Sequence, residues 1–88
     1  MKYPVFTYDD GTEVTASKIN VDGTFKLYIE KWDNTRNGFN HLMILLPENQ
    51  ILECEGYDSN EIKSMCEYYD LLKEDIKEYI EEKESESA

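Results

Sequence analysis

The chain has little of what a membrane span, a disulfide scaffold or a disordered segment requires. Its 88 residues include two cysteines, two prolines and four glycines, and its longest apolar run is the five residues 42–46. A membrane-spanning helix needs about 20 such residues, and small disulfide-stabilised domains carry more cysteines. We therefore expect one folded, soluble, cytoplasmic domain with no membrane partner, in which Cys54 and Cys66 are reduced and buried.

Basic residues are also scarce. Nine lysines and arginines stand against twenty acids, which gives a net charge of −11. Residues 1–57 hold nine acids and five bases, and residues 58–88 hold eleven acids and four bases, so the imbalance grows toward the C-terminus. Phosphate groups would be repelled by this charge. The composition predicts no direct binding to nucleic acid or to anionic lipid.

Residues that carry catalysis or bind metals are few and poorly spaced. His41 is the single histidine, and the two cysteines are predicted at core positions, where a thiol is inert. No spacing of Cys54, Cys66 and His41 matches a zinc site. The loop 33–38 has some of the oxygen ligands of a calcium-binding loop, but Ile44 occupies the position where such a loop requires a bidentate glutamate. We expect no enzyme activity, no metal and no cofactor. A small enzyme or ligand carrier with an aromatic pocket near Trp32 and His41 is the weaker alternative.

The first 57 residues alternate between short apolar-patterned runs and turn-forming residues. Asp9-Asp10-Gly11 and Asn20-Val21-Asp22-Gly23 are hairpin signals. The connections are too short for parallel crossovers, so the strands should be antiparallel. The predicted strands are Tyr3 to Tyr8, Thr12 to Ile19, Phe25 to Trp32, Phe39 to Leu46 and Ile51 to Gly56.

Residues 58–83 have the pattern of one long amphipathic helix. Asp58 with Glu61 three residues later is typical of a capping box. Glutamates crowd the C-terminal end, where the helix dipole disfavours them. We therefore predict a single domain over residues 1–83 and a disordered acidic tail over 84–88. One side of the helix is an apolar stripe, formed by Ile62, Met65, Cys66, Tyr69, Leu72, Ile76, Tyr79 and Ile80.

These elements predict an α+β fold: an antiparallel meander of about five strands with one long C-terminal helix packed on one face. One helix covers one face of a sheet, yet both faces of this sheet carry apolar residues. Tyr28 and Trp32 lie on the side of their strand opposite Phe25, Leu27 and Ile29, and the next strand contains Phe39 and the apolar residues Leu42 to Leu46. The pattern leaves open which of the two faces the helix covers. We predict a non-enzymatic interaction or regulatory module that self-associates, or binds a protein partner, through Tyr28, Trp32 and Phe39.

The other side of the helix suggests an alternative function. Its carboxylates recur about every 5–6 Å, and such a row of charge can imitate a nucleic-acid backbone. The protein would then inhibit a basic nucleic-acid-binding protein of phage or mobile-element type. A solvated helix face, with i,i+4 pairs such as Lys63–Glu67 and Lys77–Glu81, explains the same pattern without a partner. The residues concerned, called the acidic face below, are Glu67, Asp70, Glu74, Glu78 and Glu81.

Overall fold

The protein folds into a five-stranded antiparallel sheet followed by one long helix. The computed structural model describes residues 2–87. The strand order β1-β2-β3-β4-β5 is a simple meander, so the predicted α+β architecture is confirmed. The elements are β1 (Lys2–Thr7), β2 (Glu13–Ser17), β3 (Phe25–Asp33), β4 (Gly38–Leu46), β5 (Gln50–Glu55) and α1 (Ser59–Ser87).

Both predicted hairpin turns form where the turn residues stand. In the first, the N–H of Gly11 donates to the carbonyl of Tyr8, and Asp10 Oδ1 accepts the N–H of Thr12. In the second, the N–H of Gly23 donates to the carbonyl of Asn20. Local side-chain and backbone hydrogen bonds thus close both turns and fix the register of β1, β2 and β3.

The hydrophobic core lies between α1 and one face of the sheet. Period-two alternation sends every second side chain of the central strands toward the helix. Burying each of these large side chains is worth about 1.5–3 kcal/mol. The buried apolar residues are Val14, Ala16, Phe25, Leu27, Ile29, Leu42, Ile44, Leu46, Tyr69, Ile76 and Ile80. Ile62, Met65, Cys66 and Leu72 pack against them, so the predicted apolar stripe of the helix faces the sheet.

The start of the helix is fixed by the predicted capping box. The N–H of Glu61 donates to Asp58 Oδ1 (2.8 Å), and the N–H of Asp58 donates to Glu61 Oε1 (3.0 Å). Gly56, with φ of 89°, makes the bend between β5 and α1. A Cβ at this position would clash with the side chain of Asn40. The sharp bend brings the helix back across the sheet.

The end of the helix differs from the prediction. We expected fraying after Lys83 and a disordered tail over 84–88, but α1 continues to Ser87. Glu84 Oε1 accepts the N–H of Ile19 (3.0 Å), and Lys83 pairs with Glu86 (3.5 Å). These contacts offset the unfavourable placement of acids at the helix end. Ala88 lies outside the described residues. No helix within residues 2–87 combines the length and the apolar character needed to cross a membrane.

One cysteine prediction is wrong. Cys66 is half-buried, but Cys54 is exposed; both thiols are free. Cys54 stands opposite Leu42 and shares its core-side direction. However, β5 is an edge strand and is exposed along its whole length, because α1 packs closest to β1 and β4. The apolar pattern of residues 51–54 marks a strand, but the helix leaves this strand uncovered.

A pair of tyrosines joins the end of β1 to the middle of the helix. The hydroxyl groups of Tyr8 and Tyr69 are hydrogen-bonded at 2.9 Å. Burial raises the pKa of Tyr69 well above its ordinary value, and the bond to Tyr8 raises it further. Burial also raises the pKa of Tyr8. The folded protein therefore holds both groups neutral, with Tyr69 the more strongly.

We predict that Tyr69→Phe makes the stability less sensitive to alkaline pH. The unfolded phenol ionises near pH 10, whereas the folded one resists ionisation. Its stabilising contribution is therefore present below about pH 10 and is lost as the pH rises above it. Urea unfolding between pH 8 and pH 11 should show a smaller loss of stability in the variant. At pH 7 the variant should be less stable by about 0.5–1.5 kcal/mol, because the hydrogen bond is lost. Equal slopes for both proteins would contradict this assignment.

Candidate interaction surface on the uncovered face of the sheet

The single helix of residues 2–87 packs on one face of the sheet, and no second helix or strand lies on the other face. We call this other face the open face. Cross-strand pairing arranges its side chains in successive rows, each about 7 Å from the next along the strands. Because directly paired residues point to the same side, the register identifies the members of each row. Given in the order β2 to β5, the first row is Ser17, Lys26, Leu45 and Gln50, and the second row is Thr15, Tyr28, Met43 and Glu53. The third row is Glu13, Glu30, His41 and Glu55. The last row contains Trp32 of β3 and Phe39 of β4.

The last row is an exposed aromatic pair. Trp32 and Phe39 are directly opposite each other in the register, with ring centroids 5.3 Å apart in an edge-to-face arrangement. Their side chains remain 46% and 55% exposed. The indole N–H of Trp32 donates to Asn34 Oδ1 (2.7 Å). The pair is therefore held in one orientation while about half of its surface is exposed to water.

Polar side chains cross the middle of the open face as a chain of ion pairs. Lys2 Nζ lies 3.7 Å from Glu30 Oε1 and 4.1 Å from the ring centroid of Tyr28. His41 lies between two carboxylates, with Nδ1 3.9 Å from Glu30 and Nε2 3.1 Å from Glu53. All of these groups are partly exposed, so each pair adds less than about 1 kcal/mol. These ion pairs hold the side chains in defined positions and leave them partly exposed to water.

Three of the nine basic residues gather at the end of the open face opposite the aromatic pair. Lys2, Lys18 and Lys26, called the lysine cluster below, are exposed. They line a shallow hollow of about 290 Å³, completed by Ser17, Asn20 and Tyr28. In a chain with a net charge of −11, this is a local concentration of positive charge and of hydrogen-bond donors. The hollow is suited to carboxylates.

The sheet-face residues predicted from the sequence share the open face, but they do not form one apolar patch. Trp32 and Phe39 are in contact, while Tyr28 lies two rows away, beyond Glu30 and His41. The role given to residues 42–46 needs a correction. Leu42, Ile44 and Leu46 are buried beneath the helix, because alternate residues of a strand point to opposite sides. Only Met43 and Leu45 from this segment reach the open face, and both are half-buried.

The five residues of the acidic face lie on the outer surface of α1, and all are exposed. The pairs expected for Lys63–Glu67 and Lys77–Glu81 are not among the ion pairs within residues 2–87. Asp70 instead pairs with Lys73 at 2.8 Å, which lowers its pKa. Two large apolar side chains interrupt the charge, since Leu71 is 81% exposed and Tyr68 is 46% exposed.

The structure gives little support to a pocket between Trp32 and His41, which belong to neighbouring rows of an open surface. A cavity of about 360 Å³ lies on the helix side instead, and its wall includes Tyr8, Tyr57, Tyr68 and Tyr69. Within residues 2–87, no group of three or more histidine, cysteine or acidic side chains is arranged to hold a metal ion.

Comparison with known proteins adds no functional assignment. No protein-family model matches the sequence, no curated protein is significantly similar to it, and no solved structure matches the fold. The geometry of the surface is thus the basis for the proposal that follows.

Sequence reasoning missed the separation of charge on the open face. Lys2, Lys18 and Lys26 are far apart in the chain, and only the register of β1, β2 and β3 brings them together. The same register places Glu13 directly beside Glu30. The lysine cluster and the Glu13–Glu30 pair could have been found by pairing the predicted hairpins, because the turns fix which residues share a row.

Proposed function

We propose that this chain is a small cytoplasmic interaction module without enzymatic activity, and that it self-associates through the open face. The observation that carries the proposal is the ordered but exposed aromatic pair, Trp32 and Phe39, on a sheet face that α1 does not cover. Tryptophan, tyrosine and arginine are the residues that most often dominate binding energy at interfaces. Half-buried Met43, Leu45 and Tyr28 form a second apolar area on the same face, separated from this pair by the row that contains Glu30 and His41.

The size of the face indicates a weak and reversible association. Five strands about 4.8 Å apart, with seven residues of about 3.3 Å each along β3, span a surface of roughly 500 Å². A stable interface buries about 800 Å² on each partner. A second copy on the open face would therefore bury an area at the low end of specific interfaces. We expect a dimer that dissociates on dilution.

We predict that Trp32→Ser weakens dimerisation by at least about tenfold, because an aromatic anchor of this kind is worth 2 kcal/mol or more at an interface. Phe39→Ser should have a similar effect. Sedimentation equilibrium over a dilution series measures the dissociation constant directly. Leu71→Ser is the matched control, since it also removes an exposed apolar side chain, but from the helix. It should leave the dimer unchanged.

Circular dichroism shows whether each variant keeps its fold, which the exposure of all three side chains leads us to expect. A folded Trp32→Ser protein that dimerises as strongly as the parent would refute the role of the aromatic pair. A parent chain that stays monomeric at millimolar concentration would refute self-association.

The exposed Leu71 supports a second candidate function. An 81% exposed leucine lies amid the carboxylates of the acidic face, and interfaces commonly place an apolar contact within a charged rim. This surface would suit a basic nucleic-acid-binding protein, with the acidic face in place of the phosphates. The chain would then be an inhibitor that competes with nucleic acid for the same groove.

For this candidate, we predict that Glu74→Lys combined with Glu78→Lys abolishes capture of such a partner. The measurement is retention of a basic nucleic-acid-binding protein on the immobilised chain, with double-stranded DNA as the competitor. The control is Asp9→Lys combined with Glu48→Lys, which changes the net charge equally but lies outside both the acidic face and the open face. Retention should fall at least about tenfold for the first variant only. Equal retention by both variants would mean that the acidic face has no specific role.

A further inference from the structure

We infer that the second copy stacks on the open face with its strands reversed, so that the lysine cluster of each subunit covers the acidic and aromatic end of the other. This inference rests on the proposed self-association and specifies the partner and its orientation. The carrying observation is that charge on the open face is divided along the strand direction. By strand position, Lys2, Lys18 and Lys26 are at one end, and Glu13, Glu30 and Glu55 are at the other. Lys2 already pairs with Glu30 (3.7 Å) and Arg36 with Glu55 (2.8 Å), so of these charges Lys18, Lys26 and Glu13 are the ones left without an ion pair among residues 2–87.

Lys18 and Lys26 lie apart from the acids of the other end, whereas Lys2 already reaches Glu30 at 3.7 Å. Lys26 and Glu30 are four residues apart on β3, which is about 13 Å along a strand. This exceeds the Debye length of about 8 Å at physiological salt. Lys26 therefore does little to neutralise Glu30 within one subunit. Neither Lys18 nor Lys26 has an ion pair among the residues that the structure describes, so both remain available.

The acidic end contains an unfavourable contact that a partner would relieve. Glu13 and Glu30 are directly opposite each other on β2 and β3, and like charges in this position destabilise a sheet. Glu30 already faces Lys2 and His41. Glu13 has no ion-pair partner among residues 2–87. A cation supplied from above the sheet would compensate for the repulsion between the two carboxylates.

Two-fold symmetry allows two ways of stacking one open face on another in aligned packing. With the axis along the strands, each row lies over its own copy, so lysines meet lysines and glutamates meet glutamates. With the axis across the strands, the strand direction is reversed and β3 stays over β3. The lysine end of one sheet then lies over the glutamate and aromatic end of the other. Charge complementarity selects the second arrangement.

The reversed arrangement also suits the rest of the molecule. The ammonium groups of the lysine cluster come near the exposed rings of Trp32 and Phe39 as well as the glutamates, and cations bind favourably over such rings. The two helices lie on the outer sides of the paired sheets. Their acidic faces are then separated by more than a Debye length of about 10 Å at 0.1 M salt, so the net charge of −11 opposes the dimer only weakly.

The test uses two double variants of the full chain. Lys18→Glu with Lys26→Glu reverses the basic end, and Glu13→Lys with Glu30→Lys reverses the acidic end. In the reversed arrangement either change sets like charges against each other at both symmetry-related contacts. Sedimentation equilibrium should then give a dissociation constant about 10- to 100-fold larger for each double variant than for the parent. In the alternative arrangement, like charges already face each other, so neither variant would weaken the dimer.

A chain that carries all four substitutions provides the rescue. Its lysines and glutamates have exchanged ends, so the reversed arrangement again pairs opposite charges, and the dissociation constant should return to within about threefold of the parent. Dimers of parental strength for both double variants would overturn the orientation while leaving self-association standing. Weakening without rescue in the folded fourfold variant would also overturn it. A monomeric parent chain would instead refute the proposed function on which this inference rests.

Discussion

The structure depends on one geometric constraint, which is that a single helix shields one side of a five-stranded sheet. The helix α1 has 29 residues and lies across the core face. An α-helix with its side chains is about 10–12 Å in diameter, whereas five strands span about 24 Å. The helix therefore covers β1 to β4 on one face, leaves β5 exposed, and cannot reach the other face at all. The core is complete on one side of the sheet, and the remaining apolar side chains are left without a covering layer.

Charge is distributed over the molecule according to the same two sides. The outer surface of α1 carries the acidic face, with Asp70 paired to Lys73. On the open face, the unpaired Lys18 and Lys26 lie at one end and the unpaired Glu13 lies toward the other, while Lys2, Glu30, His41 and Glu53 form a chain of ion pairs between them. A surface of uniform charge would resist a second copy, and one without charge would not orient it. In the proposed dimer, the divided charge of the open face would favour association in one orientation.

The sequence was sufficient for those features that depend on local patterns. The alternation in Phe25, Leu27 and Ile29 predicted that these residues share one side of β3, and Asp58 with Glu61 predicted the start of the helix. Which side the helix covers was not predicted. Features that depend on distant contacts were not predictable in the same way. Glu84 extends the helix by binding the N–H of Ile19, and Cys54 is exposed because no helix reaches β5. The candidate surface was predicted in part: Tyr28, Trp32 and Phe39 were assigned together to one side, but the lysine cluster depends on strand pairing.

Trp32 is the single tryptophan of the chain and lies at the centre of the account, so its accessibility to a quencher is the most direct test. Acrylamide quenching of its fluorescence can be measured across a dilution series of the unmodified chain, from roughly 1 mM to roughly 1 μM, the range expected for a small interface. The account predicts weak quenching at high concentration and strong quenching after dilution, because the second copy covers the open face. A quenching constant that stays the same over the whole series would contradict it.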